Sequence, residues 1–95
     1  MKRLRRDRLK IYMDILLTTR DESKKQKTVI TRIQQKSNVP FDRFVTYLSE
    51  LKDLGLIQNE ASPELTEKGV QFVIEYERVL DFMKRMGLTY SEKEL

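Results

Sequence analysis

The side chains best suited to chemistry in this sequence are its cations, because the chain contains no Cys and no His. Their absence removes thiol nucleophiles, disulfides and zinc fingers, and it removes the commonest general base. Residues 1–54 carry 14 Lys or Arg against 7 Asp or Glu, a balance of +7, whereas residues 55–95 carry 5 against 8, a balance of −3. A basic half suits a polyanion such as duplex DNA, and the alternative is a solvated lysine-rich surface.

Two clusters of basic residues carry most of this charge. The first lies at the N-terminus, is interrupted only by Asp7, and consists of Lys2, Arg3, Arg5, Arg6, Arg8 and Lys10. The second consists of Lys24, Lys25, Lys27, Arg32 and Lys36. Phosphate contacts from such side chains position a protein on DNA without reading its sequence. We expect this role for the second cluster and for Arg3, Arg5 and Arg6, with a solvated helix end as the alternative for the first cluster.

The residues before position 40 predict two helices. The first covers residues 3–19, and its apolar stripe recurs at three- and four-residue steps through Leu9, Tyr12, Ile15, Leu16 and Thr19. Residues 20–27 contain no apolar side chain and indicate a loop. A short second helix is predicted over residues 29–37, with Thr28 as its N-cap.

A third helix, a hairpin and a fourth helix follow. Pro40 suits the first position of the third helix, which runs to Leu54 and stops at Gly55. Its predicted buried stripe is Phe41, Phe44, Leu48 and Leu51. Residues 56–60 and 64–66 form the two strands of the hairpin, and the fourth helix covers residues 67–86 and ends at Gly87. The fold class is therefore mostly α with a small β-hairpin, in the order of a winged helix-turn-helix.

The outer face of the third helix is the candidate surface for reading DNA. With the stripe turned inward, steps of about 100° per residue place the following side chains outward: Asp42, Thr46, Ser49, Glu50 and Asp53. Arg43 and Tyr47 lie on the flank. Since Arg pairs with guanine and Thr and Tyr reach bases or phosphates, we predict that Arg43, Thr46 and Tyr47 face DNA. The alternative is the ordinary surface of a helical hairpin.

Four segments of the sequence form one pattern that is typical of a known group of proteins. They are Thr31-Arg32-Ile33, Asn38-Val39, Tyr47-Leu48 with Leu51 and Leu54-Gly55-Leu56-Ile57, and Leu65-Thr66-Glu67-Lys68-Gly69. Over residues 9–86 the chain resembles small archaeal winged-helix regulators, most closely the subgroup that dimerises through a C-terminal antiparallel coiled coil. The resemblance implies a DNA-binding dimer with the third helix in the major groove and with Thr31 and Arg32 on the supporting helix. The wing departs from a basic pattern, because residues 59–64 contain two acids and no cation.

A heptad seam marks the fourth helix as a second interface. Its members are spaced four, three, four and three residues apart: Phe72, Tyr76, Val79, Met83 and Met86. Packing on the first helix accounts for the early members, but the later ones exceed what one small domain covers. We therefore predict a homodimer through Tyr76, Val79, Leu80, Phe82, Met83 and Met86.

The sequence thus predicts a winged helix-turn-helix domain over residues 1–68, a dimerisation helix packed on it over 69–87, and a frayed tail over 88–95. Its predicted function is that of a cytoplasmic, nucleoid-associated DNA-binding regulator, and the alternative is a winged helix that binds a protein partner. We expect no enzymatic activity, since Asp14, Asp21 and Glu22 make no convincing paired site. We also expect no cofactor and no metal, since the chain lacks Cys and His. We expect no membrane contact, because no segment approaches the roughly 18 apolar residues of a membrane span.

Overall fold

The computed structural model describes residues 2–25 and 28–90. The chain is mostly helical and follows the order β1 (Lys2–Leu4), α1 (Arg8–Ser23), α2 (Ile30–Ser37), α3 (Phe41–Asp53), β2 (Ile57–Gln58), β3 (Glu64–Leu65), α4 (Glu67–Arg85) and β4 (Leu88–Tyr90). The order of helices and hairpin predicted from the sequence is confirmed, and the strands β1 and β4 are additions to it. No helix in the described residues is long and apolar enough to cross a membrane.

Helix α1 begins later and ends later than predicted. Residues 2–4 form a strand, and the carboxylate of Asp7 caps the helix by accepting the amide of Lys10 at 2.8 Å. An aspartate at this position satisfies an amide that has no partner within the helix, so the helix starts after Asp7. Its last turn occupies a polar segment predicted as a loop, because Glu22 in that turn is buried.

Helices α2 and α3 form the helix-turn-helix. Thr28 does not cap α2, whose N-cap is Val29 without a side-chain hydrogen bond. The helix ends at Asn38, which has a left-handed backbone with φ of 58°. Asparagine tolerates that conformation better than most residues, so the chain turns there. Pro40 is the N-cap of α3 rather than its first residue.

The hairpin is fixed by the approach of α4 to the strand before it. Strands β2 and β3 are antiparallel and pair Ile57 with Leu65. A Cβ on Gly69 would lie 2.1 Å from the carbonyl oxygen of Leu56, so only glycine fits at that position. Thr66 caps α4 by accepting the amide of Gly69 at 3.0 Å and donates to the carbonyl of Gly55 at 2.5 Å. The Leu-Thr-Glu-Lys-Gly segment therefore anchors the wing to α4.

Strands β1 and β4 join the two ends of the described chain. They pair in parallel, with Lys2 opposite Leu88 and Leu4 opposite Tyr90. The amide of Lys2 also donates to the carbonyl of Gly87 at 2.8 Å. Residues 88–90, which were expected to belong to a frayed tail, form strand β4 of this ladder, and residues 91–95 lie outside the described residues.

One apolar core lies between the four helices and the hairpin. Its fully or nearly fully buried members are Met13, Ile15, Leu16, Ile33, Val39, Phe44, Leu48, Leu51, Leu56, Ile57, Val73 and Tyr76. Two residues predicted as inward, Leu9 and Phe41, are exposed instead. Both lie in the first turn of their helices, and the core is filled from the next turn onward by Met13 and Phe44.

Candidate nucleic-acid interface

A fully buried carboxylate organises the basic residues beside the helix-turn-helix. Glu22, in the last turn of α1, has 0% of its side chain exposed. Three cations surround it: the Nζ of Lys36 lies 2.6 Å from Oε1, the Nζ of Lys25 lies 3.3 Å from Oε1, and Nη1 of Arg32 lies 3.5 Å from Oε2. The hydrogen bond from Lys36 holds the pKa of the Glu22 carboxyl below its ordinary value. We call these four residues the Glu22 cluster.

The Glu22 cluster retains a net charge of +2 and presents it outward. The side chains of Lys25, Arg32 and Lys36 are each nearly half exposed, although each contacts the buried carboxylate. A lysine ammonium has three donors and a guanidinium five, so one carboxylate cannot occupy all of them. The cluster therefore has the chemistry of a preorganised phosphate contact. Sequence reasoning predicted its three cations and missed Glu22, whose only local signal is the three-residue spacing to Lys25.

Arg6 faces its own chain, which conflicts with its prediction as a phosphate-gripping residue. Its guanidinium donates to the carbonyls of Ser37 and Asn38, the latter at 2.9 Å, and lies 3.2 Å from Asp14. Only 13% of the side chain is exposed. The carbonyls at the end of α2 attract this cation, so Arg6 ties the N-terminal segment to the turn of the helix-turn-helix.

The other predicted phosphate contacts lie on the outside of the molecule or beyond the described residues. Arg3 is exposed in β1, and Arg5 is exposed between β1 and α1. Lys24 is the exposed C-cap of α1, and Thr31 is exposed on α2. Lys27 lies outside the described residues. Their contact with DNA stays a prediction.

The predicted reading face of α3 divides into an accessible part and a part turned toward α1. Arg43 and Thr46 are exposed, and Thr46 donates to the carbonyl of Asp42 at 3.4 Å. Arg43 also lines a cleft of about 260 Å³ between the N-terminal segment and the turn. Both side chains thus remain accessible to a ligand.

Tyr47 and Glu50 are half-buried against α1, whereas the sequence predicted Tyr47 on the flank of α3 facing DNA and Glu50 on its outward face. The ring of Tyr47 packs edge-to-face on Tyr12, with ring centroids 6.0 Å apart, and the guanidinium of Arg8 lies 5.8 Å from the centroid of the Tyr47 ring. Glu50 accepts a hydrogen bond from the Tyr12 hydroxyl and lies 3.6 Å from Arg8. Burial raises the pKa of Tyr12. These contacts fix the orientation of α3 on α1 and neutralise one acid of the reading helix.

The wing is short and its acids have nearby polar partners. Glu60 lies 3.7 Å from the ammonium of Lys52 on α3, and Glu64 accepts from Gln58 at 3.4 Å. The ammonium of Lys52 offsets part of the negative charge noted in the sequence. Among the described residues, no group of Asp or Glu is arranged to hold a metal ion.

Helix α4 buries one residue of its predicted dimer seam and leaves others uncovered. Tyr76, predicted in the dimer interface, is only 6% exposed and belongs to the core, so little of its surface is left for a partner chain. Leu80 and Met83 are half-buried, and Leu80 packs on the core. Three large apolar side chains remain exposed at the far end of the helix, namely Val79, Phe82 and Met86, with exposed fractions of 49%, 53% and 62%. We call these three residues the α4 apolar face.

Comparison with known families agrees with this arrangement. A family model described as winged helix-turn-helix matches residues 5–84, which is most of the chain. The chain belongs to the winged helix-turn-helix family. No curated protein matches the sequence. Membership of the winged helix-turn-helix family indicates a DNA-binding protein in general, and the matched residues include α2, α3 and the β2–β3 hairpin. The parallel pair of β1 and β4 lies outside the matched residues.

Proposed function

We propose that this winged helix-turn-helix protein is a transcriptional regulator or chromatin-associated factor that binds duplex DNA as a homodimer, with α3 in the major groove. The observation that carries the proposal is the division of α3 into two faces. Phe44, Leu48 and Leu51 are buried, whereas Arg43 and Thr46 are exposed in the N-terminal half of α3, directly after the turn. A recognition helix reads bases from its N-terminal residues, which is where these two lie.

The charge distribution supports the same docking. The Glu22 cluster holds Arg32 and Lys36 on α2, the helix that crosses the DNA backbone in a helix-turn-helix. Phosphate contacts there would set the register, and contacts from α3 would carry the specificity. A protein with this function would associate with the nucleoid.

The experiment is a salt titration of binding to a random-sequence duplex, followed by fluorescence anisotropy. Affinity should fall by orders of magnitude between about 50 and 200 mM salt if several phosphates are contacted. Arg78→Ala is a control, because Arg78 is exposed on α4 and pairs with Glu75 on its own helix at 3.0 Å. Binding that does not respond to salt would overturn DNA binding.

The α4 apolar face supports the dimeric part of the proposal. In a two-fold dimer the α4 apolar face of each chain would be buried against that of the other, because such an interface uses the same surface on both subunits. We place the two helices antiparallel on the resemblance to regulators with a C-terminal coiled coil. Helix charges do not decide the orientation, since Asp81 lies 3.7 Å from Arg85 on its own helix and Glu77 lies 3.3 Å from Arg20 on α1.

A second candidate function is the binding of a protein partner by the same helices. The acids exposed on α3 and in the wing favour it, because Asp42, Asp53 and Glu64 would be repelled by phosphate. The salt titration separates the two functions, since a protein-binding module would show no salt-dependent affinity for the duplex.

A further inference from the structure

Two large apolar side chains are exposed on the reading helix. Phe41 is 54% exposed and Val45 is 45% exposed, whereas Phe44, three residues after Phe41, is fully buried. The sequence pattern places Phe41 in the buried stripe, so its exposure is a product of how α3 packs. A phenylalanine and a valine one turn apart would gain free energy by packing on a ligand with apolar groups at a similar spacing.

The major groove of DNA offers one such group. Base pairs present hydrogen-bonding groups there, and thymine adds an apolar group, its C5-methyl. Phe is among the side chains that contact this methyl group. Positions 41 and 45 are four residues apart, which corresponds to about 6 Å along a helix. Successive bases of one strand rise by about 3.4 Å along the duplex axis, and the twist of the duplex separates their methyl groups further. Two side chains one helical turn apart can therefore reach the methyl groups of nearby thymines.

We propose that Phe41 and Val45 read thymine, each by packing on the C5-methyl group of a base in the major groove. The inference rests on the proposed function and names the bases that its reading helix prefers. Duplex DNA is the occupant because the same two turns expose Arg43 and Thr46, which suit base edges and phosphates. Two cations of the Glu22 cluster, Arg32 and Lys36, also lie on the preceding helix.

The experiment begins with a duplex enriched from a random pool by repeated binding to the full-length protein. Each thymine of that duplex is then replaced singly by deoxyuridine, which removes the methyl group and leaves the base-pairing edge unchanged. Each replacement removes one methyl group, whose burial is comparable to that of a CH₂ group, so binding should weaken about fourfold. We expect two sensitive positions in each site, within two base steps of each other.

Variants of the protein assign the effect to its side chains. Phe41→Ala with Val45→Ala should abolish the response to deoxyuridine and keep the salt dependence. Val70→Ala is the matched control, because Val70 has the same exposed fraction of 45% but lies on α4. Equal thermal melting temperatures would show that the variants are folded.

Failure of this inference is distinct from failure of the proposed function. Normal salt-dependent binding with no thymine position sensitive to deoxyuridine would overturn thymine reading alone. A pool without any enriched sequence, or a double alanine variant that keeps the deoxyuridine response, would also overturn it. Loss of salt-dependent binding to random duplexes would overturn the proposed function itself.

Discussion

The ammonium nitrogen of Lys36 lies 2.6 Å from a carboxylate oxygen of Glu22, a side chain with no exposed surface. A buried carboxylate is stable only with charged or hydrogen-bonded partners, and here α2 supplies two of them. The pair therefore connects the end of α1 to the helix that is expected to contact the DNA backbone. Its two members give separate predictions, one for stability and one for binding.

Glu22 should make stability depend on pH. Because its pKa is lowered in the folded protein, its ionised form stabilises the fold fully above the ordinary value of 4.5, and this contribution is lost as pH falls through the lowered pKa. Glu22→Gln should therefore lower the free energy of unfolding at neutral pH, and its difference from the unchanged protein should shrink in acid. Urea unfolding from neutral to acidic pH measures both effects. Asp21→Asn is the control, since Asp21 is exposed, and an equal loss there would contradict the role of Glu22.

Lys36→Ala should weaken DNA binding for all sequences alike. The variant removes one phosphate-facing cation, while Lys25 and Arg32 still neutralise Glu22. The slope of log affinity against log salt should become shallower by about one unit. The salt titration described above measures the slope, with Arg78→Ala as the control of equal charge. An unchanged slope for Lys36→Ala would show that the Glu22 cluster does not contact phosphate.

Arg43→Ala should relax sequence preference instead. A bidentate contact to guanine from this exposed side chain is worth about 1–3 kcal/mol, and its loss should affect one base pair. Binding to an enriched duplex and to its single-base variants measures the change. Arg3→Ala, at an exposed position in β1, should weaken all these duplexes equally. If Arg43→Ala behaves in the same way as Arg3→Ala, the reading face has been placed wrongly.

Charges placed in the α4 apolar face should yield a monomer. Val79→Glu with Phe82→Glu would bring four carboxylates into a two-fold interface, and DNA affinity should fall because two linked reading heads bind more tightly than one. Light scattering measures the mass. Val70→Glu with Ile74→Glu is the matched control, since both residues are exposed on the same helix and about 100° steps place them on another side. A monomer mass for the unchanged protein at tens of micromolar would contradict the dimer.

The sequence by itself determined the helices, the hairpin and the family pattern. Helices depend on hydrogen bonds between residues four apart and on local stop signals, so α3 and α4 end within one residue of their predicted ends, before Gly55 and Gly87, which both have positive φ. The stripe of Phe44, Leu48 and Leu51 was predicted in the same way and is buried. The basic half of the chain was also visible, because charge is a sum over residue types.

Only the tertiary structure decided which of those residues face outward and which hold the fold together. Glu22 is buried because α1 and α2 meet there, and Tyr47 and Glu50 are half-buried because Tyr12 and Arg8 on α1 reach them. The pairing of β1 with β4 joins residues more than 80 positions apart. Such contacts depend on how elements cross in space, and no periodicity within one element encodes that geometry.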